Sequence, residues 1–134
     1  MANINEHEED CIYFLNNKVT KAHKFLDHMA KYFPPERCFE YHRTFYHNSF
    51  GISLLKEALG ELGEQAGLIH LVRDWYQHPI IPMSFERLMR EAKKALKFFN
   101  DLTSGDYYNF TNIMKYKKEY NATFGKNKII RECY

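Results

Sequence analysis

The densest collection of groups able to do chemistry lies in residues 42–51, HRTFYHNSFG, where His42, Arg43, His47, Asn48 and Ser49 are interleaved with aromatic side chains. Imidazole changes charge near neutral pH and guanidinium forks onto carboxylate or phosphate, so this set suits a small anionic ligand. If the stretch is continuous helix, the five-residue step from His42 to His47 turns them about 140° apart, too far to grip one metal ion together. On that helix His42 shares a polar seam with Ser49, and His47 shares the other with Glu40, Thr44 and Gly51. A glycine inside a helix costs about 1 kcal/mol relative to alanine, which suggests that Gly51 admits a neighbouring backbone or a ligand. The plainer alternative is that the histidines are hydrogen-bonded packing residues, with a close helix crossing at Gly51 or a helix break at Asn48-Ser49.

Two further pairs have chemistry-bearing spacing. His70 and Asp74 stand one helical turn apart, as do His23 and Asp27, and either pair could orient an imidazole for metal binding or base catalysis. Exposed His/Asp neighbours are common on helices, so each pair alone weighs little, His23/Asp27 least. Convergence of His47 and His70 with Asp74 or Glu64 would hold a divalent metal and make a hydrolase. The E-x-x-H and H-E-x-x-H patterns are both absent. Arg87, Arg90, Lys94 and Lys97 form a basic stripe along which a phosphate backbone could lie. A nearly neutral chain without a nucleic-acid fold motif favours a solvated helix face over nucleic-acid binding.

His42-Arg43, His47-Asn48-Ser49 and Gly51 resemble the H-R-x-x-x-H-[N/H]-S-x-G signature of a family of small, uncharacterised, mostly bacterial and phage helical proteins. The resemblance spans residues 22–75 and implies a helical fold and a phage or mobile-element setting. In that family an E-Q-H element and an acidic residue follow. Here Glu64-Gln65 is followed by Ala66, with the next histidine at His70 and an acid at Asp74.

The elements that must position these groups read as helices. Ile12, Leu15, Val19, Ala22, Leu26, Met29 and Phe33 recur at steps of three and four, predicting one helix over 8–33 that ends at Pro34-Pro35. From Glu36 to Leu59 a second helix carries Cys38, Tyr41, Phe45, Ile52, Leu55 and Leu59 on one side and Phe39, Tyr46, Phe50 and Leu54 on the other. Two apolar faces make it the centre of a bundle or part of a subunit interface. Gly60, Gly63 and Gly67 predict a bend before the stripe Leu68, Leu71, Val72 and Trp75. His78-Pro79-Ile80-Ile81-Pro82 reads as an extended connector. Ser84 caps a helix to about Leu102 that turns Phe85, Leu88, Met89, Ala92, Leu96 and Phe99 inward. A last helix is expected over 106–120, and 126–134 as a loose tail.

With 134 residues, 45% of them hydrophobic, and a net charge of +2, the chain suits one all-α domain over 1–134, a bundle of about five helices. Charge is uneven: residues 1–83 carry 8 Lys and Arg against 11 Asp and Glu, and 84–134 carry 11 against 6. The acidic start, Glu6, Glu8, Glu9 and Asp10, is one mate for the basic stripe. Three scattered cysteines without a C-x-x-C pair argue against a disulfide framework or a thiolate zinc site. The polar, acidic start and the absence of a long apolar run point to the cytoplasm and away from membrane partners. These features favour a self-associating binding protein (an adaptor, an inhibitor or a binder of a small anionic ligand) with a second copy or another protein as partner. The competing class is a metal- or histidine-dependent hydrolase built on His42, His47, His70 and Asp74.

Overall fold

The computed structural model describes residues 2–27 and 46–104, which form four helices and no strand among the described residues. They are α1 (Ile4–Leu15), α2 (Thr20–Leu26), α3 (Ser49–Tyr76) and α4 (Phe85–Ser104). None is long and apolar enough to cross a membrane. The helix expected over 106–120 and the tail lie outside the described residues, as do His42, Arg43, Thr44 and Phe39.

The continuous helix expected over 8–33 is broken. Asn16 takes the left-handed conformation (φ 55°) and donates its N–H to the Ile12 carbonyl, ending α1. Val19 is also left-handed (φ 46°) where α2 begins. Asparagine enters that region at low cost because its short amide bonds locally, and the Asn17 side chain accepts from Val19 N. The turn rotates α1 relative to the expected seam, so Cys11 enters the core while Ile12 is 42% exposed. Burial pushes the Cys11 thiol up to about 12, so it is a packing residue.

The second expected helix is also interrupted. His47 and Asn48 leave helical geometry, and Asn48 becomes the N-cap of α3, its side chain accepting from Gly51 N. The reason for Gly51 is local: a Cβ there would overlap the Tyr46 carbonyl group, so glycine lets the chain fold against its own preceding turn. Tyr46 is buried against Phe25, whereas Phe50 is 43% exposed.

The bend expected in the glycine stretch falls at Gly60 (φ 70°, ψ −155°), a conformation that side-chain-bearing residues avoid. A straight helix rises about 1.5 Å per residue, which would place Ile52 and Gly67 roughly 22 Å apart. Instead a Cβ on Gly67 would meet Ile52 Cδ1 at 2.7 Å and Leu55 Cδ1 at 2.8 Å. The two halves of α3 are therefore folded back on each other, with Gly67 as their close contact.

Beyond the His78–Pro82 connector, Arg87 N bonds the Ser84 hydroxyl as α4 starts. Leu88, Ala92, Ala95 and Phe99 pack inward, Met89 and Leu96 partly so, while Phe85 is 41% exposed, contrary to its expected inward position. Phe85 lies on the same face as Leu88 and Ala92, three and seven residues on, so its exposure comes from its place as the first residue of α4 and not from its angle on the helix.

The glycine geometry predicts an order of damage. Gly60→Ala forces only backbone strain and is expected to cost about 1–3 kcal/mol. Gly51→Ala overlaps main-chain atoms that cannot turn aside, and is expected to cost about 3 kcal/mol or more. Urea unfolding followed by circular dichroism ranks the two, and the reverse order would contradict the geometry.

Candidate metal centre

Folding back α3 sets its start against its second half, and α1 and α2 pack onto it. The result is a buried knot of four imidazoles and two carboxylates: His7 from α1, His23 from α2, Asp27 just after it, His47 before α3, and His70 and Asp74 from late α3. All four histidines are fully buried and Asp74 is 2% exposed. The i, i+4 spacing of His70 and Asp74 puts them on one helix face.

One part of the knot converges on a point. His47 Nε2 lies 2.8 Å from Asp74 Oδ2 and 3.4 Å from Asp27 Oδ1. His70 Nε2 lies 3.2 Å from both of those oxygens and 3.2 Å from His47 Nε2. A tetrahedral zinc ion bonded at about 2.0–2.2 Å sets neighbouring ligand atoms roughly 3.3–3.6 Å apart. Five of the six separations among the four atoms, at 2.8–3.4 Å, match such a set slightly contracted, and the sixth, between the two carboxylate oxygens, is within 4.8 Å. Three corners are sealed and the fourth, Asp27, has a 29% exposed side chain, so solvent meets the centre there.

The other part does not converge. His23 and His70 face each other Nδ1 to Nδ1 at 3.0 Å, with ring planes 19° apart and centroids 5.3 Å apart. That centroid separation is what two rings meeting nitrogen to nitrogen require, so the contact is a nearly linear hydrogen bond. Lone pairs aimed at each other along one line leave no place for a metal between them. His7 stacks flat on His70, with centroids 3.6 Å apart and planes 9° apart. Its Nε2 is 3.4 Å from Asp74 Oδ1, and neither ring nitrogen makes a hydrogen bond among the described residues.

Charge follows from these contacts. Burial opposes charging His70, but the Asp27 and Asp74 carboxylates outweigh it and hold His70 up at about 10. Burial also works to raise Asp74, yet the His70 charge, the bonds from His47 and His70 and the nearby His7 ring hold it well below the usual carboxylate range. Burial lowers His47 to about 4 and His23 to about 3, and it lowers His7 with help from the charge on His70. The point between the carboxylates therefore demands a cation, and in the absence of metal a proton on His70 supplies it.

An ion-pair cluster flanks the knot. Arg73 bonds both Asp10 oxygens at 3.0 and 3.1 Å and Glu6 at 2.6 Å, fastening α1 to α3. Glu6 and Asp10, expected as mates for the basic stripe, are thus engaged within the other half of the fold.

Of the residues singled out in the sequence, His47, His70 and Asp74 come together. Asn48 caps α3, and Ser49 is tied to Asn100 of α4 through its N–H and hydroxyl. Glu64 pairs with Lys56. Arg87, Arg90, Lys94 and Lys97 are exposed along α4, with Lys94 bonded to Glu91. His23 and Asp27 belong to the knot although their spacing alone carried little weight. Their signal was the recurrence of H-x-x-x-D at 23–27 and 70–74. His7 had no local signal at all. Comparisons with protein-family models, curated proteins and solved structures find no match for the chain.

Acid should expose the cost of this burial. His7, His23 and His47 have folded values below their ordinary 6.5, so the stability they confer is present above 6.5 and is lost as pH falls toward their folded values. His70 contributes in the opposite sense: its stabilisation is complete below 6.5 and is lost as pH rises through about 10. Asp10, raised by burial to about 6, gains stability on acidification, one carboxyl against three imidazoles. In chelator-stripped protein the urea midpoint is expected to fall from pH 6.5 to pH 4. A flat midpoint across that interval would contradict the assignment of neutral, buried imidazoles.

Proposed function

We propose that the protein is a metal-dependent hydrolase, with a zinc-like divalent ion held by His47, His70 and Asp74 and with Asp27 at the open corner. The observation that carries this reading is the convergence of His47 Nε2, His70 Nε2, Asp27 Oδ1 and Asp74 Oδ2, all within 4.8 Å of one another and five of their six separations at 2.8–3.4 Å. Two carboxylates and two neutral imidazoles present two negative charges to one point, which a divalent cation balances. Imidazole donors favour a transition metal over calcium or magnesium.

The chemistry such an ion supplies is polarisation of a bound ester or amide oxygen and acidification of water. The protein's own part is division of labour. His47, His70 and Asp74 are sealed from solvent and fix the ion's position. Asp27, the corner open to solvent, would cede its place to water and accept that water's proton.

The small-anion reading has less support. His42 and Arg43 lie outside the described residues, and the cleft beside Asp74 is lined by Arg73, already engaged by Glu6 and Asp10. A phage-related setting rests on the sequence resemblance.

Elemental analysis of purified protein is expected to find one zinc, manganese or iron ion per chain, lost in His47→Ala. Asp27→Asn is expected to keep the metal while metal-dependent cleavage of p-nitrophenyl acetate or bis(p-nitrophenyl) phosphate falls about 100-fold or more. Protein that neither contains metal nor takes up added zinc would overturn the reading. Wild-type activity in Asp27→Asn would remove Asp27 from its role.

A further inference from the structure

The metal reading uses one nitrogen of His70; the opposite nitrogen carries an inference of its own and rests on that reading. His23 Nε2 lies 3.1 Å from the Lys18 carbonyl oxygen. A carbonyl only accepts, so His23 Nε2 must bear a hydrogen. His23 is fully buried, and a cationic ring there would have a carbonyl and an imidazole as its bonding partners, a costly arrangement. A neutral His23 with its hydrogen on Nε2 has a bare Nδ1, which can only accept. The 3.0 Å contact then obliges His70 Nδ1 to donate. A neutral His70 whose hydrogen is on Nδ1 has its lone pair on Nε2, the atom aimed between Asp27 and Asp74.

We infer that His23 is a positioning residue for the metal centre: the series Lys18 carbonyl, His23, His70 selects the tautomer of His70 that can ligate through Nε2. Neither Lys18 nor His23 touches substrate. The backbone carbonyl at the end of the series makes it directional, because that carbonyl cannot exchange donor and acceptor roles. His7 completes the support from a different direction. Its ring lies flat against His70, so His70 is fixed in its plane by stacking and along its edge by the hydrogen bond. Metal-binding imidazoles elsewhere are oriented by carboxylates or carbonyls on their second nitrogen, and loss of such a partner typically weakens metal affinity 10–100-fold. Here the orienting group is a second imidazole, itself anchored by the main chain.

Two substitutions separate acceptor chemistry from packing. The amide oxygen introduced by His23→Asn can stand near the position of the lost Nδ1 and accept from His70, whereas His23→Leu fills space without accepting. Zinc affinity, measured by competition with a chromophoric chelator, is expected to fall about 10- to 100-fold in His23→Leu and to stay within a few-fold of wild type in His23→Asn. Nitrogen-15 correlation spectra of the zinc-loaded wild type should show His70 with hydrogen on Nδ1 and metal on Nε2. Equal affinity in wild type and His23→Leu, equal weakening in both variants, or His70 with hydrogen on Nε2 would overturn the inference. Should His23→Leu fail to fold, the wild-type spectrum and His23→Asn still decide. A wild type that binds no zinc defeats the metal reading itself, a result distinct from each of these.

Discussion

A carboxylate excluded from water must be met by positive charge or by donors, and Asp74, 2% exposed and ringed by His7, His47 and His70, is the group in this fold to which that demand applies most strongly. The surrounding structure can be understood as its answer. Imidazoles are suited to the task because they can be neutral ligands to a metal ion or a proton-bearing partner when no metal is bound. The second carboxylate, Asp27, raises the local negative charge beyond what one imidazolium neutralises. A divalent ion, as proposed, would resolve that imbalance and would replace several marginal contacts between nitrogens by bonds to a common centre.

The histidines are alike in burial and unlike in role, and the difference lies in where their lone pairs point. His47 and His70 direct Nε2 toward one place from two sides, which is the requirement for shared coordination. His23 and His70 meet head-on, which makes a hydrogen bond and excludes coordination between them. His7 stacks in parallel and contributes contact area and ring orientation. Counting histidines within a radius would merge these cases; ring planes and nitrogen directions separate them.

Bringing these groups together depends on main-chain geometry at a few residues. Gly60 turns α3 back on itself, and without that reversal His47 and His70, 23 residues apart, would be separated by roughly 35 Å of helix. Gly51 allows the Tyr46–Asn48 segment to curl against the start of α3 and drop His47 inward. Asn16 and Val19 break the N-terminal region in two, so that His7 and His23 approach His70 from separate helices. Arg73, clamped on Glu6 and Asp10, holds α1 in place beside the residue that follows it, Asp74.

Much of the local order was legible in the residues. The three-and-four spacing from Leu88 to Phe99 specifies a helix with one apolar face, Ser84 marks its start, and Pro79 and Pro82 forbid helix between α3 and α4. The one-turn spacing of His70 and Asp74 likewise follows from helical geometry alone. The Asn16-Asn17 turn was also written there, but a regular apolar seam spoke more loudly than a pair of asparagines. Local spacing could not reveal that His7, His23 and Asp27 join His47, His70 and Asp74, because those distances are set by how helices pack after the chain reverses. Sequence alone determines which side chains share a turn of helix, through covalent geometry and short-range bonding. Only the tertiary fold decides which lone pairs meet, since that depends on backbone reversals and burial acting across tens of residues.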